Sequence, residues 1–90
     1  MVIVSYDISN DKTRTRFSKY LERYGRRIQY SVFEIDNSDR VLDNIVNEIR
    51  NVFEPRFQQR DSVVIFVLSN WCKTIKMGYA ANENRNLVLI

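Results

Sequence analysis

Two amphipathic helices separated by apolar strands are the feature that most constrains the fold of this chain. Apolar residues recur at spacings of three and four over residues 11–24 and again over residues 39–53. This spacing is typical of a helix that buries one stripe of its surface. Asn10 or Ser9 is placed to cap the first helix, and we expect Gly25 to end it.

Between and after these helices, the sequence predicts extended segments rich in β-branched and aromatic residues. In the second of them Ile28, Tyr30 and Val32 alternate on one face, but the apolar positions then change face near Ser31, which predicts a bulge or a break there. The strands are expected over residues 2–8, 27–36, 61–69, 71–77 and 86–90. Their alternation with two helices predicts one α+β domain over residues 1–90, with the helices packed on one face of a single sheet.

Asp7 stands near the end of the first strand, where a carboxylate is unfavourable. Strand alternation places Val2, Val4 and Tyr6 under the helices, and therefore Asp7 on the open face. An ordinary explanation is that Asp7 caps the following turn or helix through the backbone. Alternatively, Asp7 has a functional role at an interface, which requires that another surface covers the open face.

The strand over residues 63–68 is apolar on both faces, which indicates that the open face is also covered. We expect a second copy of the chain to cover it in a symmetric homodimer, with residues 78–90 as a C-terminal dimerisation segment. Two Asp7 carboxylates brought together would repel each other unless they share a proton, separate or hold a cation. Mg²⁺ suits the last case, because it often takes only one or two carboxylates and keeps several waters.

The residue types present restrict the chemistry. The 90 residues include no His and one cysteine, Cys72, which excludes Cys/His zinc sites and His-based triads. Any catalysis or ligand binding must therefore depend on carboxylates, hydroxyls and cations. No apolar run approaches the roughly 18 residues of a membrane span, so we expect a cytoplasmic protein without membrane contact.

Positive charge is concentrated in the first third of the chain. Between residues 12 and 27, seven cations face a single carboxylate, whereas residues 28–54 carry an excess of carboxylates. This segregation predicts contact with nucleic acid or another phosphate-rich partner, although a solvated helix face is the ordinary alternative. The candidate binding residues are Lys12, Arg14, Arg16, Lys19, Arg23, Arg26 and Arg27.

Several motifs together resemble CRISPR-associated protein 2. They are "YDI" at 6–8, "TRTRF" at 13–17, "YGRRIQYSVFEID" at 24–36, "DSVVIFVL" at 61–68 and "MGY" at 77–79. The resemblance implies a ferredoxin-like βαββαβ sandwich with an extra C-terminal strand, in which the segment around Ser31 is divided into two strands. It also implies a homodimer that acts as a metal-dependent endonuclease on RNA or DNA.

The resemblance further implies a role in CRISPR spacer acquisition, in which the dimer bridges subunits of the CRISPR-associated integrase. The metal-binding and catalytic aspartate of the family maps to Asp7, preceded by Tyr6, and the expected metal is Mg²⁺, with Mn²⁺ as an alternative. Other positions associated with nuclease activity map to Arg14, Arg16, Arg27 and Phe33, with Ser31 beside them.

We expect Arg14 and Arg27 to assist catalysis, and Arg16, Lys19 and Arg23 to hold the nucleic-acid backbone. Phe33 follows the face change and is expected either in the dimer interface or on a base. Tyr6 is expected in the core.

Three functions follow from these residues. The first is an Mg²⁺-dependent endoribonuclease or endodeoxyribonuclease, and the second is a dimeric DNA-binding scaffold in which Asp7 is catalytically idle. The third is an RNA-binding module, which the sequence disfavours because no pair of stacking aromatics falls on the exposed strand face.

Overall fold

The computed structural model describes residues 1–36, 38–68, 74–76 and 87–89. Within these residues the chain follows the order expected of a ferredoxin-like fold. The elements are β1 (Val2–Asp7), α1 (Asp11–Glu22), β2 (Gly25–Gln29), β3 (Val32–Ile35), α2 (Asp39–Glu48), β4 (Ser62–Val67), β5 (Thr74–Lys76) and β6 (Leu87–Leu89). The first four strands form one antiparallel sheet in the order β2-β3-β1-β4.

The main core lies between this sheet and the helices. Alternate residues of β1, from Val2 to Tyr6, are buried on the helical side, where Val4 pairs with Phe33 of β3 and Ile65 of β4. Phe17 and Leu21 of α1 and Ile45 of α2 are fully buried against them. The predicted burial of Val2, Val4 and Tyr6 under the helices is therefore confirmed.

The first helix begins as predicted but ends differently. The Asn10 side chain accepts a hydrogen bond from the Thr13 backbone N–H at 2.9 Å, the usual contact of an N-terminal cap. The helix ends at Glu22, and Gly25 is already the first residue of β2. A Cβ atom at Gly25 would lie 1.9 Å from the backbone oxygen of Glu34, so this glycine permits close strand approach and does not end the helix.

The second helix is shorter than the predicted 39–53. It begins after Ser38, whose hydroxyl accepts from the Val41 N–H at 3.3 Å, and continues past Glu48 as a π-helical turn, Ile49–Phe53, and a 3₁₀ turn, Glu54–Arg56. Apolar residues four apart drift around an α-helix of about 3.6 residues per turn. The wider π turn offsets this drift and keeps Ile49 and Phe53 buried together.

The predicted strand over residues 27–36 is divided by a turn at residues 30–31, which confirms the break near Ser31. A register shift between Arg27 and Gln29 adds a bulge in β2. Ile28 packs against Ile3 in a small cluster, separate from the main core, with Met1, Val32 and Leu68 around it.

The face of the sheet away from the helices carries exposed apolar side chains on β4. Val64 and Phe66 of β4 are 47% and 48% exposed, whereas Val63 and Ile65 pack on the main core. This confirms that the strand is apolar on both faces. The predicted main sheet is confirmed with four strands, whereas β5 and β6 pair with each other in a separate two-stranded sheet, because strand alternation does not determine which strands pair.

Trp71, Cys72 and Gly78 lie outside the described residues. Across the part of the chain that the structure describes, no helix is long and apolar enough to cross a membrane.

Candidate nucleic-acid site

Asp7 lies at the end of β1 with its side chain exposed, opposite Ser62 of β4. It follows Ile3 and Ser5 in strand alternation and therefore lies on the face away from the helices. Among the described residues, the Asp7 carboxylate has no hydrogen-bond or ion-pair partner, and Asn10 supplies the helix cap. The capping explanation for Asp7 is therefore wrong, and its carboxylate is free to bind a ligand.

Arg14 is held against the loop that follows Asp7. Its Nη1 donates to the backbone oxygen of Ile8 at 3.0 Å, and its Nη2 forms an ion pair with Asp11. The hydrogen bond to Asp11 raises the pKa of Arg14. The contact explains how a cation is tolerated in the first turn of α1, where the helix dipole disfavours positive charge.

Arg27 comes to the same end of the sheet from β2. Its guanidinium carbon lies 5.0 Å from the centre of the Phe33 ring, and its Nη1 donates to the backbone oxygen of Tyr30. Burial raises the pKa of Tyr6, and the nearby positive charges of Arg27 and Arg14 oppose that increase. We call Arg14 and Arg27 the arginine pair, because the positive charges of both lower the pKa of Tyr6.

Asp61, which the sequence did not single out, fixes the loop between Asp7 and α1. Its Oδ1 accepts from the Ser9 N–H at 3.0 Å and from the Ser9 hydroxyl at 2.9 Å, and its Oδ2 accepts from the Gln58 N–H at 2.9 Å. Hydrogen bonds from the Gln58 and Ser9 backbones lower the pKa of Asp61. The contact joins the β1–α1 loop to the turn before β4.

The other candidate cations of α1 lie elsewhere. One face of α1 and the π-helical turn enclose a groove of about 390 Å³, which we call the basic groove. Tyr20, Val52 and Phe53 form its apolar part, and Thr13 also lines it. Its cations are Arg16, Lys19, Arg23 and Arg56.

Three of the four cations that line the basic groove were predicted from the sequence, and Arg56 was not. The reason is that Arg56 lies far along the chain from residues 12–27. The 3₁₀ turn after α2 brings it to the groove. Arg23 also contacts the rings of Tyr20 and Tyr24, at 5.9 and 5.8 Å from their centres.

Lys12 and Arg26 join neither the arginine pair nor the groove. Lys12 is exposed at the start of α1. Arg26 forms an ion pair with Glu34 of β3 at 3.3 Å.

The predicted position of Phe33 is wrong. It was expected in a dimer interface or on a base, but its side chain is fully buried in the main core, with its ring centre 6.3 Å from that of Tyr6. The turn at residues 30–31 reverses the chain and restarts the alternation, so Phe33 and Ile35 face the helices. Ser31 lies in that turn, and its backbone oxygen accepts from the Tyr6 N–H at 3.1 Å.

Within the described residues, no three His, Cys, Asp or Glu side chains are grouped to hold a metal ion. Mg²⁺ needs no such group, because it often takes only one or two carboxylates and keeps several waters.

Comparison with known proteins assigns the chain to a family. The family model described as CRISPR associated protein Cas2 matches residues 1–75. The chain belongs to the Cas2 family. A Methanospirillum hungatei relative, named CRISPR-associated endoribonuclease Cas2 2, is 30% identical over 90 residues, 98% of this chain and 97% of the relative.

Two further comparisons agree with membership of the Cas2 family. CRISPR-associated endoribonuclease Cas2 3 of Chloroflexus aurantiacus is 42% identical over 53 residues, and this match spans 59% of the chain and 57% of the relative. The crystal structure of Streptococcus pyogenes Cas2 at pH 6.5 superimposes with a TM-score of 0.63 at 26% identity, covering 78% of this chain and 88% of that one. The expected family and the ferredoxin-like fold are thus confirmed.

Proposed function

We propose that this protein is a metal-dependent endonuclease that hydrolyses phosphodiester bonds of RNA or DNA and takes part in CRISPR spacer acquisition. The observation that carries the proposal is the exposed Asp7 carboxylate, which has no partner among the described residues and lies at the end of β1, beside the loop that Arg14 contacts through the Ile8 backbone oxygen. Relatives that bear the name endoribonuclease support it.

The active form in this proposal is a homodimer. The exposed Val64 and Phe66 lie on the same face of the sheet as Asp7, and a second copy packed there would remove them from water. Such packing brings one Asp7 from each chain toward a shared site. Two carboxylates fit Mg²⁺ or Mn²⁺, and a bound divalent ion would activate water and offset charge on the scissile phosphate.

The protein's own cations have separate tasks. The arginine pair is held by backbone oxygens and by Asp11 at the Asp7 end of the sheet, where it can orient the scissile phosphate and stabilise developing charge. The basic groove lies in the helical layer, on the other side of the sheet, and holds flanking backbone phosphates. Cleavage and most of the binding therefore depend on different residues.

Cleavage of labelled RNA and DNA in the presence and absence of Mg²⁺ tests the proposal. Asp7→Asn should abolish cleavage and leave binding within a few-fold of the wild-type protein, because the variant retains the basic groove and the arginine pair. Ser5→Ala, on the same face of β1, is the matched control and should cleave normally. Equal cleavage by wild-type and Asp7→Asn protein would refute the catalytic role.

The basic groove also favours a second candidate, the scaffold that binds DNA and docks subunits of the CRISPR-associated integrase. Its cations can bind nucleic acid without Asp7, because they lie on the opposite side of the sheet. In that case Asp7→Asn protein would support spacer acquisition by the integrase as well as wild-type protein, whereas removal of the groove cations would abolish it.

A further inference from the structure

Tyr30 is 75% exposed, the highest exposed fraction among the large apolar side chains of the described residues. The sequence predicted that it would alternate with Ile28 and Val32 on one strand face, but the structure places it in the turn between β2 and β3. The ring therefore belongs to neither the main core nor the smaller cluster around Ile3.

The turn that carries Tyr30 is fixed on both sides. Arg27 donates from Nη1 to the Tyr30 backbone oxygen, and the next residue, Ser31, accepts from the Tyr6 N–H at 3.1 Å. Arg27 is itself packed over the buried Phe33 ring. An aromatic ring presented from an anchored backbone loses little conformational freedom when it binds a ligand.

The surroundings of Tyr30 indicate which ligand its ring would bind. The Tyr30 backbone oxygen accepts from Arg27, and the next residue, Ser31, accepts from the Tyr6 N–H, so the turn that carries the ring lies at the same end of the sheet as Tyr6 and Arg27. Cations beside an exposed aromatic ring are the usual means of binding an unpaired nucleotide, because the cations hold phosphate while the ring stacks on the base. Bases within a duplex are already stacked and offer no free face.

We propose that Tyr30 stacks on one unpaired nucleobase of the nucleic acid, next to the phosphate that the arginine pair holds. This inference rests on the proposed function and deepens it, because it makes a single strand, or a locally unpaired segment, the preferred substrate at the Asp7 end. The basic groove carries no such preference, since its cations contact backbone.

Binding of fluorescently labelled oligonucleotides without divalent metal tests the proposal, in an Asp7→Asn background that we expect not to cleave. Tyr30→Ala should weaken binding of oligouridylate or oligothymidylate by about 5- to 150-fold, the range expected for loss of one stacked base. Tyr30→Phe should bind like the parent, because the ring remains. Val67→Ala changes a side chain that is 63% exposed at the other end of the sheet, and this matched control should have no effect.

Two further measurements distinguish stacking from other roles. Binding of a blunt duplex and the dependence of single-strand affinity on salt should both stay unchanged in Tyr30→Ala, because no phosphate contact is lost. Equal weakening of duplex and single strand, a smaller salt slope, an equal loss in Tyr30→Phe, or dissociation of a dimer in Tyr30→Ala would each overturn the proposal.

The same experiment separates failure of this inference from failure of the proposed function. If the parent binds nucleic acid and Tyr30→Ala binds single strands equally well, only the stacking role is refuted. If the parent binds neither single strands nor duplex, the proposed function is refuted and the stacking role with it.

Discussion

Removal of three cations from the basic groove should reduce the salt dependence of nucleic-acid binding by a predictable amount. The change is Arg16→Ala, Lys19→Ala and Arg23→Ala in one protein. These side chains line the same groove and make no ion pair within the described residues, so they can be replaced by solvent without leaving a buried charge. The fold should therefore survive the triple change.

The magnitude follows from the number of phosphate contacts. Each contact contributes about 0.9 to the slope of log affinity against log salt for duplex DNA and about 0.7 for a single strand. Three lost contacts should therefore reduce the slope by about 2.7 on duplex or about 2.1 on a single strand. Adding Arg56→Ala should reduce it by one further increment, because the structure places Arg56 in the same groove.

Fluorescence anisotropy over a series of salt concentrations measures these slopes. The matched control removes three exposed cations that lie outside the groove, through Arg40→Ala, Arg50→Ala and Arg60→Ala. It changes the net charge equally and should reduce the slope by well under one contact. An equal reduction in both proteins would show that net charge, and not the basic groove, governs binding.

Three further predictions concern stability and assembly. Phe33→Ala should lower the free energy of unfolding by about 3–5 kcal/mol in urea titrations, since Phe33 is fully buried; a loss below about 1 kcal/mol would contradict that burial. The pKa of Asp61 is lower in the folded protein, so its contribution to stability should be complete above its ordinary pKa of 3.8 and be lost as the pH falls below it. Asp61→Asn should flatten this acid dependence in thermal melts, and an unchanged profile would exclude the role of its contacts with Ser9. Phe66→Glu should dissociate the proposed dimer in sedimentation experiments, and a persistent tight dimer would place the interface elsewhere.

Much of the fold could be predicted because its causes are local. Apolar spacing gave the two helices, Asn10 gave the first cap, and alternation placed Asp7 opposite the helical side. Gly25 was misassigned as a helix end, since its close approach to Glu34 depends on the pairing of two strands. The π-helical turn was missed because its apolar spacing is also compatible with a continued α-helix.

The candidate site was predicted less completely, because its parts meet only in three dimensions. Arg14 and Arg27 were identified from sequence, but Asp61 and Arg56 join their neighbours through contacts across the chain. Phe33 was misplaced because a chain reversal resets strand alternation. Tyr30 was predicted to lie in a strand because it alternates with Ile28 and Val32, but it lies in the turn between β2 and β3.

Mn²⁺ binding followed by electron paramagnetic resonance tests metal binding at Asp7 without any knowledge of the substrate. We expect that wild-type protein binds Mn²⁺, that Mg²⁺ competes for the site, and that Asp7→Asn protein loses this binding while Ser5→Ala protein retains it. Equal binding of Mn²⁺ by wild-type and Asp7→Asn protein would contradict the assignment of Asp7 as the metal ligand.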